Sequence, residues 1–273
     1  MASLAGRTLF ITGASRGIGR EIALRAARDG ARIVLAAKTS EPHPKLAGTI
    51  HSVAAEVEAA GGQALAVILD VRDENAITDA VARAVDRFGG IDVLVNNASA
   101  INLTPTPATT AKRFDLMFGV NVRATFLCSQ ACIPHLRSSS NAHILNLSPP
   151  LSMQARWFAP HVAYTMSKFG MSLCTLGMAE ELKADAIAVN SLWPVTTIAT
   201  AAIEANFPPE ILKASRQAAI VADAAHAILT SDARANSGNF YLDEEVLRRA
   251  GVTDFSRYAV TPGVAPFKDL FVD

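Results

Sequence analysis

Cysteine is scarce: Cys128, Cys132 and Cys174 are the only three among 273 residues. An odd count without a C-x-x-C pair excludes a disulfide framework and sets the expectation of a reducing, cytoplasmic compartment. Cys128 and Cys132 share a helical face, but two thiols without a third and fourth ligand read as small core fillers, so no metal site is expected. A surplus of charge is equally lacking, since 25 basic residues cancel 25 acidic ones. Nucleic-acid and acidic-membrane partners both need a basic footprint, and neither is expected here. The longest uncharged stretches, such as 186–203, are broken by Asn190, Ser191, Pro194 and several threonines, which spoils a membrane span. Residues 1–12 lack the long apolar core of a leader peptide.

What the chain has in quantity is hydrophobic residues, half of the total. A chain of this size hides roughly 70–75% of its extended surface on folding, so a large core forms without covalent staples. Short apolar or β-branched runs occur at 7–12, 32–37, 64–69, 92–95, 143–147, 186–192 and 239–242. Segments of helical periodicity separate them, at 17–29, 49–60, 74–88, 112–137, 163–183 and 222–230. This alternation predicts an α/β fold, a doubly wound parallel sheet of about seven strands with helices on both faces. No linker or composition shift divides it, so a single domain over 1–250 is expected, followed by a tail over 251–273. The tail carries Phe267 and Phe271, which a free segment would expose, so it is expected to pack on its own or a neighbouring subunit. Stretches 39–48, 149–160 and 195–209 exceed the usual connection length and are the candidate cofactor and substrate loops.

The first strand runs into Thr12-Gly13-Ala14-Ser15-Arg16-Gly17-Ile18-Gly19, and a helix follows at once. Glycines let the backbone turn sharply and approach a pyrophosphate, while the helix N-terminus offers free N–H groups and the positive end of a dipole. The strand-turn-helix context therefore points to dinucleotide binding, with the spacing T-G-x3-G-x-G. The same residues spell G-x-S-x-G, which would make Ser15 a hydrolase nucleophile, but such an elbow tops a strand deep in an assembled sheet rather than the first one. After the second strand, Ala36-Ala37-Lys38 offers no carboxylate for an NAD ribose, whereas Lys38 and Arg16 can meet a 2′-phosphate. NADP(H) is expected to be preferred, with NAD(H) the alternative. Tyr164 and Lys168 lie four apart in a helical segment, so they share a face on which an ammonium lowers a phenol's pKa.

The segments T-G-A-S-R-G-I-G at 12–19, N-N-A-S at 96–99, Asn121 and Y-T-M-S-K at 164–168 stand in the order and spacing of the short-chain dehydrogenases/reductases, which the chain resembles over residues 5–245. The resemblance implies a Rossmann-type fold and NAD(P)-linked oxidation or reduction of a small alcohol or carbonyl compound. It implies that Gly13, Ser15, Arg16, Gly17, Ile18 and Gly19 hold the pyrophosphate and that Asp70 and Val71 meet the adenine edge. Asn97, Ala98, Pro194, Thr196 and Thr197 would lie along the rest of the cofactor, Thr200 being a further candidate. Tyr164 would be the general acid/base, Lys168 would bind the nicotinamide ribose, and Asn121 would support a water-linked proton path. Ser148 stands where the family's serine pair begins, but Pro149 replaces the carbonyl-polarising second serine; Ser148, Ser152 or a water remain for that role. Family habit implies a homodimer or homotetramer. His161 borders the tyrosine, with packing its simpler role, and Trp157, Phe158, Trp193, Ile203 and Phe207 are candidates for an apolar pocket wall. The altered serine position keeps a second reading open, a module that senses NADP(H) without turnover.

Overall fold

The computed structural model describes residues 2–44 and 46–273, so Lys45 of the 39–48 stretch lies outside it. In chain order the elements are β1 (Thr8–Thr12), α1 (Gly17–Ala27), β2 (Arg32–Ala37), α2 (Ile50–Ala59), β3 (Gln63–Ile68), α3 (Glu74–Phe88) and β4 (Val93–Asn96). Then come α4 (Ala111–Met117), a π-helical segment (Phe118–Arg123), α5 (Ala124–Leu136), β5 (Ala142–Asn146), α6 (Ala155–Phe158), α7 (Val162–Glu181) and β6 (Ile187–Trp193). The last are α8 (Ala201–Asn206), α9 (Pro209–Lys213), α10 (Ala219–Leu229), β7 (Phe240–Leu242) and α11 (Asp243–Arg249).

The seven strands form one parallel sheet in the order β3-β2-β1-β4-β5-β6-β7. A strand covered on both faces reads as a continuous apolar run, and β1, β4, β5 and β6 are buried along their whole length. Alternation sorts their side chains. Leu9, Ile11, Ile33 and Leu35 point into one core with α1, α2 and α10, while Phe10 and Val34 point into the other with α3, α5 and α7. Helix ends follow local chemistry: Thr49 and Ser52 close a capping box on α2, and Gly89 ends α3 in the left-handed region at φ +84°.

The helix expected over 112–137 is divided by its π segment, which turns Asn121 inward. That run, Ala111–Leu136, is long and apolar enough to cross a membrane by length and composition. Here it packs within the fold against α3 and α7. Stretches 149–160 and 195–209, expected to be irregular, carry the short helices α6 and α8. The tail lies on its own chain: Thr197 N donates to Phe267 O at 2.9 Å, Phe267 N to Ala214 O at 2.8 Å and Asp269 N to Val195 O at 3.0 Å. The indole Nε1 of Trp193 donates to Leu270 O at 2.8 Å.

Candidate active site

β1 lies between β2 and β4, so chain connections leave its two sides in opposite directions and open a crevice at the carboxyl ends of the strands. A cleft of about 510 Å³ fills this crevice. Gly13, Ser15, Arg16, Gly17, Ile18, Lys38, Asp70, Val71, Asn97 and Ala98 all line it, as expected. The glycine cradle is tight. Gly13 sits at φ +67°, and a Cβ there would stand 2.9 Å from Ala98 Cα and from Asn97 Nδ2. Asn97 locks the turn by donating to Thr12 O at 2.9 Å and Gly13 O at 3.1 Å. The first turn of α1 has no side-chain cap, which leaves its amides to meet an anion. These features fit a dinucleotide pyrophosphate. Gly19 does not line the cleft: a Cβ there would meet Asn97 Nδ2 at 2.5 Å and Gly13 O at 2.7 Å, so its part is to let α1 approach the strand ends.

At the end of the cleft beyond β2 and β3, Lys38 Nζ lies 3.3 Å from Asp70 Oδ2. The Arg72 guanidinium, with Lys38 assisting, holds the Asp70 carboxyl well below the usual carboxylate range. Arg72 is a cleft residue that no motif marked; its place two positions after Asp70 was the available signal. Arg16 donates from Nε to Ala47 O at 3.0 Å and from Nη2 to Gly48 O at 2.9 Å. Its guanidinium thus clasps the 39–48 stretch onto the glycine loop as well as lining the cleft, instead of standing free for a phosphate. Three cations, Arg16, Lys38 and Arg72, face one carboxylate, Asp70, so this end is net positive.

A smaller cavity of about 140 Å³ continues inward, sharing Ile18, Asn97, Ser99 and Thr200 with the cleft. Tyr164, Lys168, Trp193 and Pro194 line it. Lys168 is fully buried, its Nζ donating to Leu147 O at 2.6 Å and lying 4.9 Å from the Trp193 ring centre. Burial pushes its pKa down to about 7 against the opposing charge of Asp269. Burial also pushes the Tyr164 phenol up, and Asp269 adds to that rise. The expected lowering of the phenol by the ammonium is therefore not found in the protein alone, because desolvation outweighs it.

Ser148, Ser152, Thr196, Thr197 and Asn121 fall outside both cavities, as Gly19 does. Ser148 is fully buried and its hydroxyl pairs with Ser191 Oγ at 2.8 Å, in a chain that continues to Thr175, so it faces the interior. Ser152 lies outside the cavity wall as well. Thr197 Oγ1 pairs with Ser215 Oγ at 2.8 Å, and Thr196 Oγ1 is buried without a partner. Thr200 is the threonine of that loop that reaches the site. Asn121 acts through the backbone, accepting from Ala100 N at 2.8 Å and donating to Ala100 O at 2.9 Å and Ser167 Oγ at 2.9 Å. It anchors the segment after β4 to the helix that carries Tyr164. A π bulge at such a place is a common functional device.

Trp193, Ile203 and Phe207 line the inner cavity, whereas Trp157 and Phe158 pack in the cluster beneath the tail's Phe271. His161 packs there too, its Nδ1 3.0 Å from Thr165 Oγ1. Asp269 and Leu270, which no motif marked, line the inner cavity beside Tyr164 and Lys168.

The short chain dehydrogenase family model matches residues 7–209. A relative from Danio rerio, hydroxysteroid dehydrogenase-like protein 2, is 58% identical over 99% of this chain, which spans 65% of that relative's length. The segments 38–50, 148–150, 178–181 and 190–194 of this sequence carry that narrower resemblance. A solved short chain dehydrogenase of Mycobacterium thermoresistibile is 51% identical, covers 99% of this chain and 96% of its own, and superposes with a TM-score of 0.94. A metagenomic short-chain oxidoreductase, solved in complex with NADP, is 27% identical over 88% of this chain and 97% of its own, with a TM-score of 0.73. On the family match and on a sheet, glycine loop and Tyr164–Lys168 pair that agree with it, the chain belongs to the short chain dehydrogenase family, a family of oxidoreductases.

Proposed function

We propose that this chain is an NADP(H)-dependent oxidoreductase that interconverts an alcohol and a carbonyl group on a small, largely apolar molecule. The observation that carries the reading is the opening of the glycine-loop cleft into a cavity where Tyr164 and Lys168 stand one helical turn apart. When bound, the nicotinamide supplies or takes the hydride at the substrate carbon. The protein's own part is a proton at the substrate oxygen. In reduction Tyr164 gives its phenolic proton to that oxygen and is reprotonated from solvent; in oxidation it takes the proton away. Lys168 would hold the cofactor ribose, and its charge would favour the tyrosinate.

Preference for the 2′-phosphorylated cofactor is supported by Lys38 and Arg72 beside the single carboxylate Asp70, and by the lack of a carboxylate at 36–38 where β2 ends. NAD(H) is the weaker alternative. Exposed apolar side chains on α5 and α7, Phe126, Leu173 and Leu176, support a homodimer or homotetramer, for which we propose a cytoplasmic setting. Titration of NADPH and NADH against tryptophan fluorescence, followed by a carbonyl panel read by NADPH oxidation, tests the proposal. Binding with turnover is the expected result. Binding without turnover on any carbonyl would favour a sensor, and hydrolysis of an ester without nucleotide binding would favour the Ser15 reading.

A further inference from the structure

Two oxygens of the tail meet the catalytic cavity in different ways. The Leu270 carbonyl is spent on the Trp193 indole, while the Asp269 carboxyl lines the cavity beside Tyr164 and Lys168. Asp269 is held at two points in the closed tail. Its N–H donates to Val195 O at 3.0 Å, and its Oδ1 accepts from Leu270 N at 2.8 Å. Among the described residues its Oδ2 has no hydrogen-bond partner.

The other polar groups of this cavity are either committed or stand at its outer boundary. Asn97 spends its amide on the glycine loop, Lys168 on Leu147, and Ser99 and Thr200 stand at the boundary shared with the cofactor cleft. Position 149 is a proline and Ser148 is turned inward, so no hydroxyl of that loop reaches the cavity. A carbonyl oxygen has two lone pairs, and one donor, Tyr164, serves only one of them.

Resting on the oxidoreductase reading above, we propose that Asp269 is the second group on the substrate oxygen: its carboxyl donates a hydrogen bond to a carbonyl oxygen, and to the oxygen of the corresponding alcohol, whose own hydroxyl proton points at Tyr164. Its proton stays on it throughout, and the transferred proton belongs to Tyr164. Burial, with Asp243 adding to it and Lys168 opposing it, raises the Asp269 pKa to about 7, so the neutral, donating form is present at and below neutral pH. The titratable groups facing it are Tyr164 and Lys168 on α7 and Asp243 at the start of α11. The assignment selects neutral carbonyl substrates and disfavours anions placed near the reacting carbon.

The test uses the full chain saturated with NADP⁺, a complex that cannot reduce, so that ketone binding is read without turnover. Cyclohexanone affinity is followed by tryptophan fluorescence from pH 5.5 to 8.5, beside steady-state reduction with NADPH. Binding in the wild type is expected to weaken as pH rises through about 7, in Asp269→Asn to be independent of pH, and in Asp269→Ala to weaken about tenfold at low pH with NADP⁺ affinity unchanged. Recovery by the asparagine variant shows that a misfolded tail is not the cause. The idea is overturned if Asp269→Ala binds ketone as the wild type does. It is also overturned if the loss falls on NADP⁺ alone, or if kcat returns at a shifted pH, which would mean action through Lys168. Wild-type ketone binding without reduction would instead count against the oxidoreductase reading and leave the Asp269 measurement standing.

Discussion

Replacing Phe271 with alanine asks how firmly the tail is held over the site. The side chain is 4% exposed, and its ring lies 5.4 to 6.2 Å, centre to centre, from those of Trp157, His161, Tyr164, Phe169 and Trp193. Truncating a phenylalanine so enclosed costs about 3–5 kcal/mol. Phe271 sits at φ +68°, a conformation alanine finds no easier, so no backbone strain is relieved in compensation. If the whole chain had to unfold to release the ring, that energy would lower Tm by about 6–20 °C. The last residues can instead open alone, because beyond Phe267 few backbone bonds tie them down. The expected outcome is that exchange at the Asp269 and Leu270 amides quickens by about two to three orders of magnitude while Tm falls by less than about 5 °C. Hydrogen exchange by mass spectrometry on the C-terminal peptide, beside calorimetry, reads both quantities. Unchanged exchange in that peptide, or faster exchange spread evenly over the sheet, would refute the reasoning.

Other outcomes follow from single residues. Lys38→Ala should weaken NADPH binding about five- to tenfold and leave NADH binding unchanged, a modest effect because the ammonium is 63% exposed; isothermal titration of both cofactors reads it. Gly19→Ala should cost at least tenfold in affinity for either cofactor and lower Tm, since the new methyl would stand 2.7 Å from the Gly13 carbonyl, which cannot yield without moving the cradle. His143 is buried with Nδ1 unpartnered, and burial lowers its pKa from 6.5 to about 4. Its folded-state pKa lies below the unfolded one, so its contribution is complete above about pH 6.5 and is lost as pH falls through about 4. That amounts to at most about 3 kcal/mol, and urea midpoints between pH 4 and 7 should show a shallower acid fall in His143→Gln.

The fold was legible because burial on both faces forces each strand of a parallel sheet into an apolar run, and the glycine loop was legible because few residues tolerate Gly13's left-handed backbone. Strand ends shifted by only a residue or so, as at β3 (Gln63–Ile68) and β5 (Ala142–Asn146). Helices α6, α8 and α11 escaped notice since four to seven residues are too few for periodicity to show. The π segment was hidden because its residues fit a straight helix equally well. Within the site, Tyr164 and Lys168 follow from a spacing of four on one face, whereas the threonines after Pro194 share one composition and only the chain path separates Thr200 from Thr196 and Thr197. Asp269 had no local signal at all. Its place depends on a tail that returns across 74 positions to pair with Val195, and its surroundings, rather than its neighbours in sequence, give it chemistry.

Single-turnover transfer from NADPH to a ketone, followed by stopped-flow absorbance in the wild type and in Tyr164→Phe, tests the central claim most directly. The account expects Tyr164→Phe to bind NADPH with wild-type affinity, because the phenolic oxygen serves the inner cavity rather than the glycine-loop cleft. It expects the transfer rate to fall by about two to four orders of magnitude, the loss of a positioned proton donor. An undiminished rate in Tyr164→Phe would contradict it.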